Sequence, residues 1–174
     1  MATTYTLISS VTVGAGGAAN ITLSSIPSTY TDLMVLISSR STQAGGEPDG
    51  LGFQLNSDTG ANYNQRQLYG DGTNKGSTSN TGLTFGYVGP INGAGSTSNV
   101  FTSSTLYIPN YTSSNYKSIS VDSVTENNVT GANAGIRANI WNSTSAITSI
   151  KFFDFTTGNL VQYSTAYLYG ISNA

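Results

Sequence analysis

The sequence contains no cysteine and no histidine. Without cysteine there is no disulfide framework, no thiolate metal site and no thiol nucleophile. Without histidine the commonest general base and a frequent metal ligand are missing, and a Ser-His-Asp triad cannot be assembled. Charge is scarce as well. Only 8% of residues are charged and the net charge is −2, against roughly a quarter charged in average globular chains. The six basic residues form no cluster, so nucleic-acid binding lacks its main electrostatic term. No run approaches the roughly 20 apolar residues of a membrane helix. Residues 1–13 carry neither the basic start nor the continuous apolar core of a secretory signal. These absences predict a non-enzymatic protein with no cofactor, no metal ion, and no nucleic-acid or membrane partner.

Small polar residues take the place of charge. The chain holds 25 Ser, 24 Thr, 17 Asn and 20 Gly, half of its 174 residues. Ser and Asn bond their own backbone outside helices, Thr is β-branched, and Gly costs roughly 1 kcal/mol against Ala in a helix interior. The low net charge and well-spaced apolar runs separate this composition from that of a disordered chain. The length matches one domain spanning residues 1–174.

Period-two alternation dominates the pattern. Tyr5, Leu7, Ser9, Val11 and Val13 fall on one face of a first strand. The glycines of Gly14-Ala15-Gly16-Gly17 then make a hairpin turn before Ile21 and Leu23. Leu33 to Ile37 are apolar at every position and predict a strand buried on both faces. Leu51, Phe53 and Leu55 alternate, as do Leu83, Phe85 and Tyr87. Further strands are expected near 100–108, 116–124, 134–141, 147–155 and 165–171, with Trp141 as a core anchor. The Gly-rich intervals 71–81 and 90–99 read as long loops, of the kind that are functional or ordered by a partner. About ten short strands with regular turns predict an all-β fold, a single antiparallel β-sandwich of jelly-roll type.

The eight carboxylates are Asp32, Glu47, Asp49, Asp58, Asp71, Asp122, Glu126 and Asp154. A glycosidase needs only two, but six of these sit in or beside turns, where Asp bonds its own backbone. Asp71-Gly72-Thr73-Asn74 has oxygen ligands at calcium-like spacing without the further acids or terminal Glu of an EF-hand, so a polar turn is expected. The four Asn-x-Ser/Thr sequons, at Asn20, Asn110, Asn128 and Asn142, are no more than this composition produces by chance. Leu-Tyr-Gly occurs at 68–70 and again at 168–170, a short echo that chance also explains. Tyr107, Tyr111 and Tyr116 are the candidate partner-contact aromatics, because tyrosine joins an apolar face to a hydroxyl.

Three stretches carry a family resemblance. Leu7-Ile-Ser-Ser-Val-Thr-Val-Gly leading into Ile26-Pro-Ser-Thr-Tyr-Thr-Asp-Leu-Met-Val is the first. The second is Tyr107-Ile-Pro-Asn-Tyr-Thr-Ser-Ser-Asn-Tyr-Lys-Ser with Glu126-Asn-Asn. Ala146-Ile-Thr-Ser-Ile and Gln162-Tyr-Ser-Thr-Ala-Tyr-Leu-Tyr-Gly-Ile form the third. Together they resemble small virion structural proteins of tailed bacteriophages, of the cyanophage and marine-phage type. The resemblance implies a capsid decoration (cement) protein on the outer surface of the particle, or else a receptor- or carbohydrate-binding domain of a tail fibre. It brings no catalytic or metal motif. The expected partners are further copies of the chain, around a threefold axis, and the major capsid protein or other virion proteins. A low-charge, Ser/Thr/Asn-rich exterior suits such packing, since desolvating charge is costly.

Overall fold

The computed structural model describes residues 4–44, 49–128 and 132–172, and among them all extended regular structure is β. The strands are β1 (Tyr5–Thr12), β2 (Asn20–Leu23), β3 (Asp32–Ser39) and β4 (Asp49–Leu55). Then come β5 (Tyr63–Gly70), β6 (Lys75–Leu83), β7 (Gly86–Ile91) and β8 (Thr102–Ile108). The last are β9 (Lys117–Thr125), β10 (Asn133–Trp141), β11 (Ile150–Asp154) and β12 (Thr165–Ile171). They form two antiparallel sheets, one of eight strands ordered β1-β12-β3-β8-β9-β10-β5-β6 and one of four ordered β2-β11-β4-β7.

The topology is a jelly roll with an extension. Strands β1 to β4 pair in turn with β12, β11, β8 and β7, as one long antiparallel ribbon rolled into two sheets. Two further pairs interrupt the ribbon. The β5–β6 hairpin and the β9–β10 pair meet through the β5–β10 ladder and widen the larger sheet from four strands to eight. Between the sheets lies one core containing Leu33, Val35, Phe53, Leu106, Phe152 and Leu168, all fully buried. Phe53 meets Tyr63 edge-on at 6.1 Å. Trp141 is buried as expected, and its indole N–H donates to the Asp58 carboxylate at 2.7 Å.

Local expectations fail in four places. A register shift between Leu7 and Ser9 breaks the single face expected for β1. Tyr5 and Leu7 point to solvent, whereas Ile8 and Val11 pack on the core, because the extra residue of a bulge reverses the alternation. Strand β3 is buried on one face only, and Leu36 is exposed. Residues 14–17 do turn, with the Gly17 N–H donating to the Gly14 carbonyl at 3.0 Å, but they carry the chain from the large sheet to the small one instead of closing a hairpin. Residues 75–81, expected as loop, belong to the edge strand β6, which runs on to Leu83 and is nearly all exposed. An edge strand with both faces in water needs no apolar alternation. Gly45-Gly46, a further turn signal in the sequence, lies outside the described residues.

The second long interval is a loop, and Arg40 holds it. The buried guanidinium donates to the carbonyls of Ser96, Thr97 and Val100 at 3.0, 2.8 and 3.0 Å. Asn92 adds a bond from its side chain to the Val100 carbonyl.

Gly86 lies directly on the core. A Cβ there would sit 2.2 Å from the Phe53 ring, which is fully buried and has nowhere to move. Gly86→Ala is expected to cost about 2 kcal/mol by overpacking, lowering the thermal midpoint by several degrees in calorimetry while far-ultraviolet circular dichroism stays β-type.

Candidate interaction surfaces

The tyrosines singled out from sequence do not form one patch. Tyr111 is fully buried, with its hydroxyl donating to the Pro27 carbonyl. Tyr107 is half-buried on β8 and donates its hydroxyl to Asp32 at 2.7 Å, a bond that raises the phenol pKa. Only Tyr116 is freely displayed, at 58% exposure. Sequence proximity misled because β8 alternates its faces and the turn after it folds back into the core.

The carboxylates are spread over the molecule and occupied with local structure. Asp32 takes the Tyr107 hydroxyl and the Asn110 N–H. Asp71 takes the N–H groups of Thr73 and Asn74, the expected polar turn. Asp154 takes the Ser41 hydroxyl and the Thr156 N–H, and Glu126 takes the Asn128 N–H. Asp122 stands exposed on β9, while Glu47 and the side chain of Asp49 lie outside the described residues. Among the described residues no three acids converge on a point that could hold a metal ion.

What the fold assembles instead is a surface. Alternation along β10 is inverted: Ala134, Ile136 and Ala138 face out while Arg137, Asn139 and Trp141 face in. The inward polar side chains dock the extension onto β7, the edge of the small sheet. Asn139 accepts from the Tyr87 N–H at 3.0 Å and donates to the Tyr87 carbonyl at 3.1 Å. Arg137 lies 4.8 Å from the centre of the Tyr87 ring and donates to Gln67 at 3.1 Å. With the inner layer polar, the apolar face of β10 is left in water.

The rest of the outer face matches it. Seven of the ten exposed large hydrophobic side chains among the described residues lie on the outside of the eight-stranded sheet. Tyr5, Leu7, Leu36 and Tyr167 occupy its β1–β8 half, and Leu68, Val124 and Ile136 the other. The β9–β6 half is hollowed, with a depression of about 450 Å³ over Leu68, Ile136 and Ala138. Charge on this face is sparse: Asp32 is buried against Tyr107, Lys75 marks one corner, Asp122 lies near the middle, Arg66 sits on the penultimate strand, and Asp71 and Glu126 flank the end beside Val124. Two apolar clusters on one sparsely charged face, separated by Ser, Thr and Asp122 of β8 and β9, make this face the candidate interaction site.

A second, smaller surface lies on the small sheet. Phe85 stacks on Phe155 at 4.8 Å and meets Phe153 edge-on at 5.7 Å, while Tyr87 approaches Phe155 at 5.6 Å. The rings lie across β4 at Gly50 and Gly52, where a Cβ on Gly50 would fall 1.9 Å from the Phe155 ring. Phe155 is 37% exposed. The Lys151 ammonium sits 5.3 Å from the Phe153 ring centre. The sequence signal for the platform was present in the Gly-x-Gly of β4 opposite a Phe-rich strand, but only strand pairing brings Phe85 to it.

No protein-family model matches the chain, and no curated protein matches it.

Asp58 provides a pH-sensitive strut beneath these surfaces. Burial opposes its charged form, but donors from Trp141, Asn62 and Gly60 outweigh that and hold its pKa below the usual carboxylate value. A depressed folded pKa gives stability that is complete above the ordinary carboxylate range and is lost as pH falls through the lower, folded value. Asp58→Asn is therefore expected to lower the stability at pH 7 by about 1 kcal/mol, a charge-assisted bond made neutral, and with it the thermal midpoint. The difference between the two proteins should shrink as the pH is lowered through and below the ordinary carboxylate range; parallel melts across a pH series check this.

Proposed function

We propose that this chain is a non-enzymatic virion structural protein of a tailed bacteriophage, a decoration (cement) protein on the outer shell that bridges neighbouring capsid subunits. The observation that carries the reading is the large-sheet face: broad, nearly uncharged and studded with seven exposed hydrophobic side chains. Such a face is suited to lasting burial against protein, because little charge is desolvated when it is covered. The jelly roll is a frequent architecture of viral shell proteins, and the sequence resemblance to small virion proteins points the same way. The Phe85–Phe155 platform offers a second contact on the opposite sheet, as a bridging protein requires. Further copies of the chain and the major capsid protein are the proposed partners.

A second reading, a receptor- or carbohydrate-binding domain of a tail fibre, rests on the same platform. A partly exposed stacked aromatic pair beside a lysine is a surface on which a sugar ring could pack. Jelly rolls also serve as lectins.

Under the first reading, a reconstruction of the intact particle places this chain on the capsid surface, and particles lacking it release their DNA at lower temperature than the parent. Density confined to the tail tip would overturn it. Under the second, multivalent protein on a glycan array binds at least one glycan and Phe155→Ala abolishes the signal; an empty array removes that reading.

A further inference from the structure

We infer that two copies of this chain pair face to face through their eight-stranded sheets, about a twofold axis running along the strands between β8 and β9. The pairing is argued from the surface alone and does not depend on the virion reading.

Area comes first. Eight strands about 4.8 Å apart, each with about seven residues of about 3.4 Å, span roughly 38 by 24 Å, about 900 Å². A standard stable interface buries about 800 Å² per partner. The whole face is thus the right size for one partner, whereas half of it is too small.

Shape then selects the occupant and the axis. The β1–β8 half carries four of the seven exposed large side chains, Tyr5, Leu7, Leu36 and Tyr167, and the β9–β6 half carries three together with the depression. A twofold axis parallel to the strands lays each half of one copy on the opposite half of the other, so every bulky region meets a hollow. An axis across the strands would set hollow on hollow and leave the roughly 450 Å³ depression of each copy unfilled.

Register gives the same answer residue by residue. One cross-strand row of the outer face reads Tyr167, Leu36, Thr105, Asp122, Ile136 and Leu68. Reversed upon itself by the twofold, it puts Tyr167 over Leu68, Leu36 over Ile136, and the Thr105 hydroxyl over Asp122. The adjoining row puts the Tyr169 phenol over Arg66 and Met34 over Ala138. Tyr167, Leu36 and Met34 meet apolar partners, Asp122 and Arg66 each meet a hydroxyl-bearing one, and Leu7 and Val124 lie over Ser79 and Ser103. These oppositions hold to within the roughly 30° rotation at which twisted sheets pack. A self-contact on a strongly charged face would set like charge on like, and this face avoids it. Pairing in this way leaves the two aromatic platforms on opposite outer sides of the pair.

The chain's lack of cysteine makes the test direct. Light scattering on the purified chain is expected to give twice its 18.1 kDa mass. Ile136→Lys and Leu36→Lys, both at exposed positions, should each return it to monomer with the circular dichroism unchanged. Leu36→Cys mixed with Ile136→Cys should be joined by a bismaleimide whose spacer matches the about 10 Å between stacked sheets, while neither variant alone should, since only the strand-parallel axis opposes these two positions. A monomeric or trimeric parent, lysine variants that stay paired, or cross-linking within a single cysteine variant would each overturn the proposal. None of these results bears on where the protein sits on a particle, so the two ideas fail separately.

Discussion

One side chain docks the inner face of the extension on the edge of the small sheet. Asn139 satisfies both the N–H and the carbonyl of Tyr87, on the outer edge of the small sheet, in the manner of an added strand. An edge strand with unpaired backbone groups is a liability unless it is covered. Here the cover is the inward, polar face of β10, with the Arg137–Tyr87 stack beside it. Because that face must be polar to reach the β7 backbone, the alternation of β10 sends Ala134, Ile136 and Ala138 outward. The docking chemistry on one side of the sheet thereby creates the apolar surface on the other.

A related economy governs the cations. Of six basic residues, Arg40, Lys117 and Arg137 are buried, and the bonds they make go to neutral acceptors. Arg40 holds three carbonyls of the loop after β7, and Lys117 donates to the carbonyls of Ser113 and Asn115 at 2.7 and 2.6 Å. Each long side chain acts as a cross-link for irregular backbone, whose carbonyls would otherwise be left unpaired. Withdrawing these charges inward further reduces the charge of an exterior that already has little. The outer sheet face and the aromatic platform are both left with few ions to strip of water when protein covers them.

Much of the fold was legible. The strand at 165–171 and the buried Trp141 follow from alternation and apolar bulk, since a strand with one face in the core must alternate. Leu-Tyr-Gly shows where such reading stops. Leu168 is fully buried whereas Leu68 is 56% exposed, although the two tripeptides are identical. A local pattern states that one face is apolar, but not whether the core lies on that side. The same limit hid β6, whose two faces are both solvent-exposed, and the β1 bulge, which shifts the phase of a correct pattern by one residue.

By itself the sequence determined the class of the protein. Scarce helix formers and period-two alternation define an antiparallel β-sandwich, because these depend on composition and on neighbours along the chain. Only the tertiary structure decided which apolar residues remain in water. Tyr107, Tyr111 and Tyr116 separate into three environments, while Leu36 and Ile136, a hundred residues apart in sequence, come to share one face. The reason is that strand order, not sequence distance, sets which side chains are neighbours, and strand order is fixed by long-range pairing across two sheets.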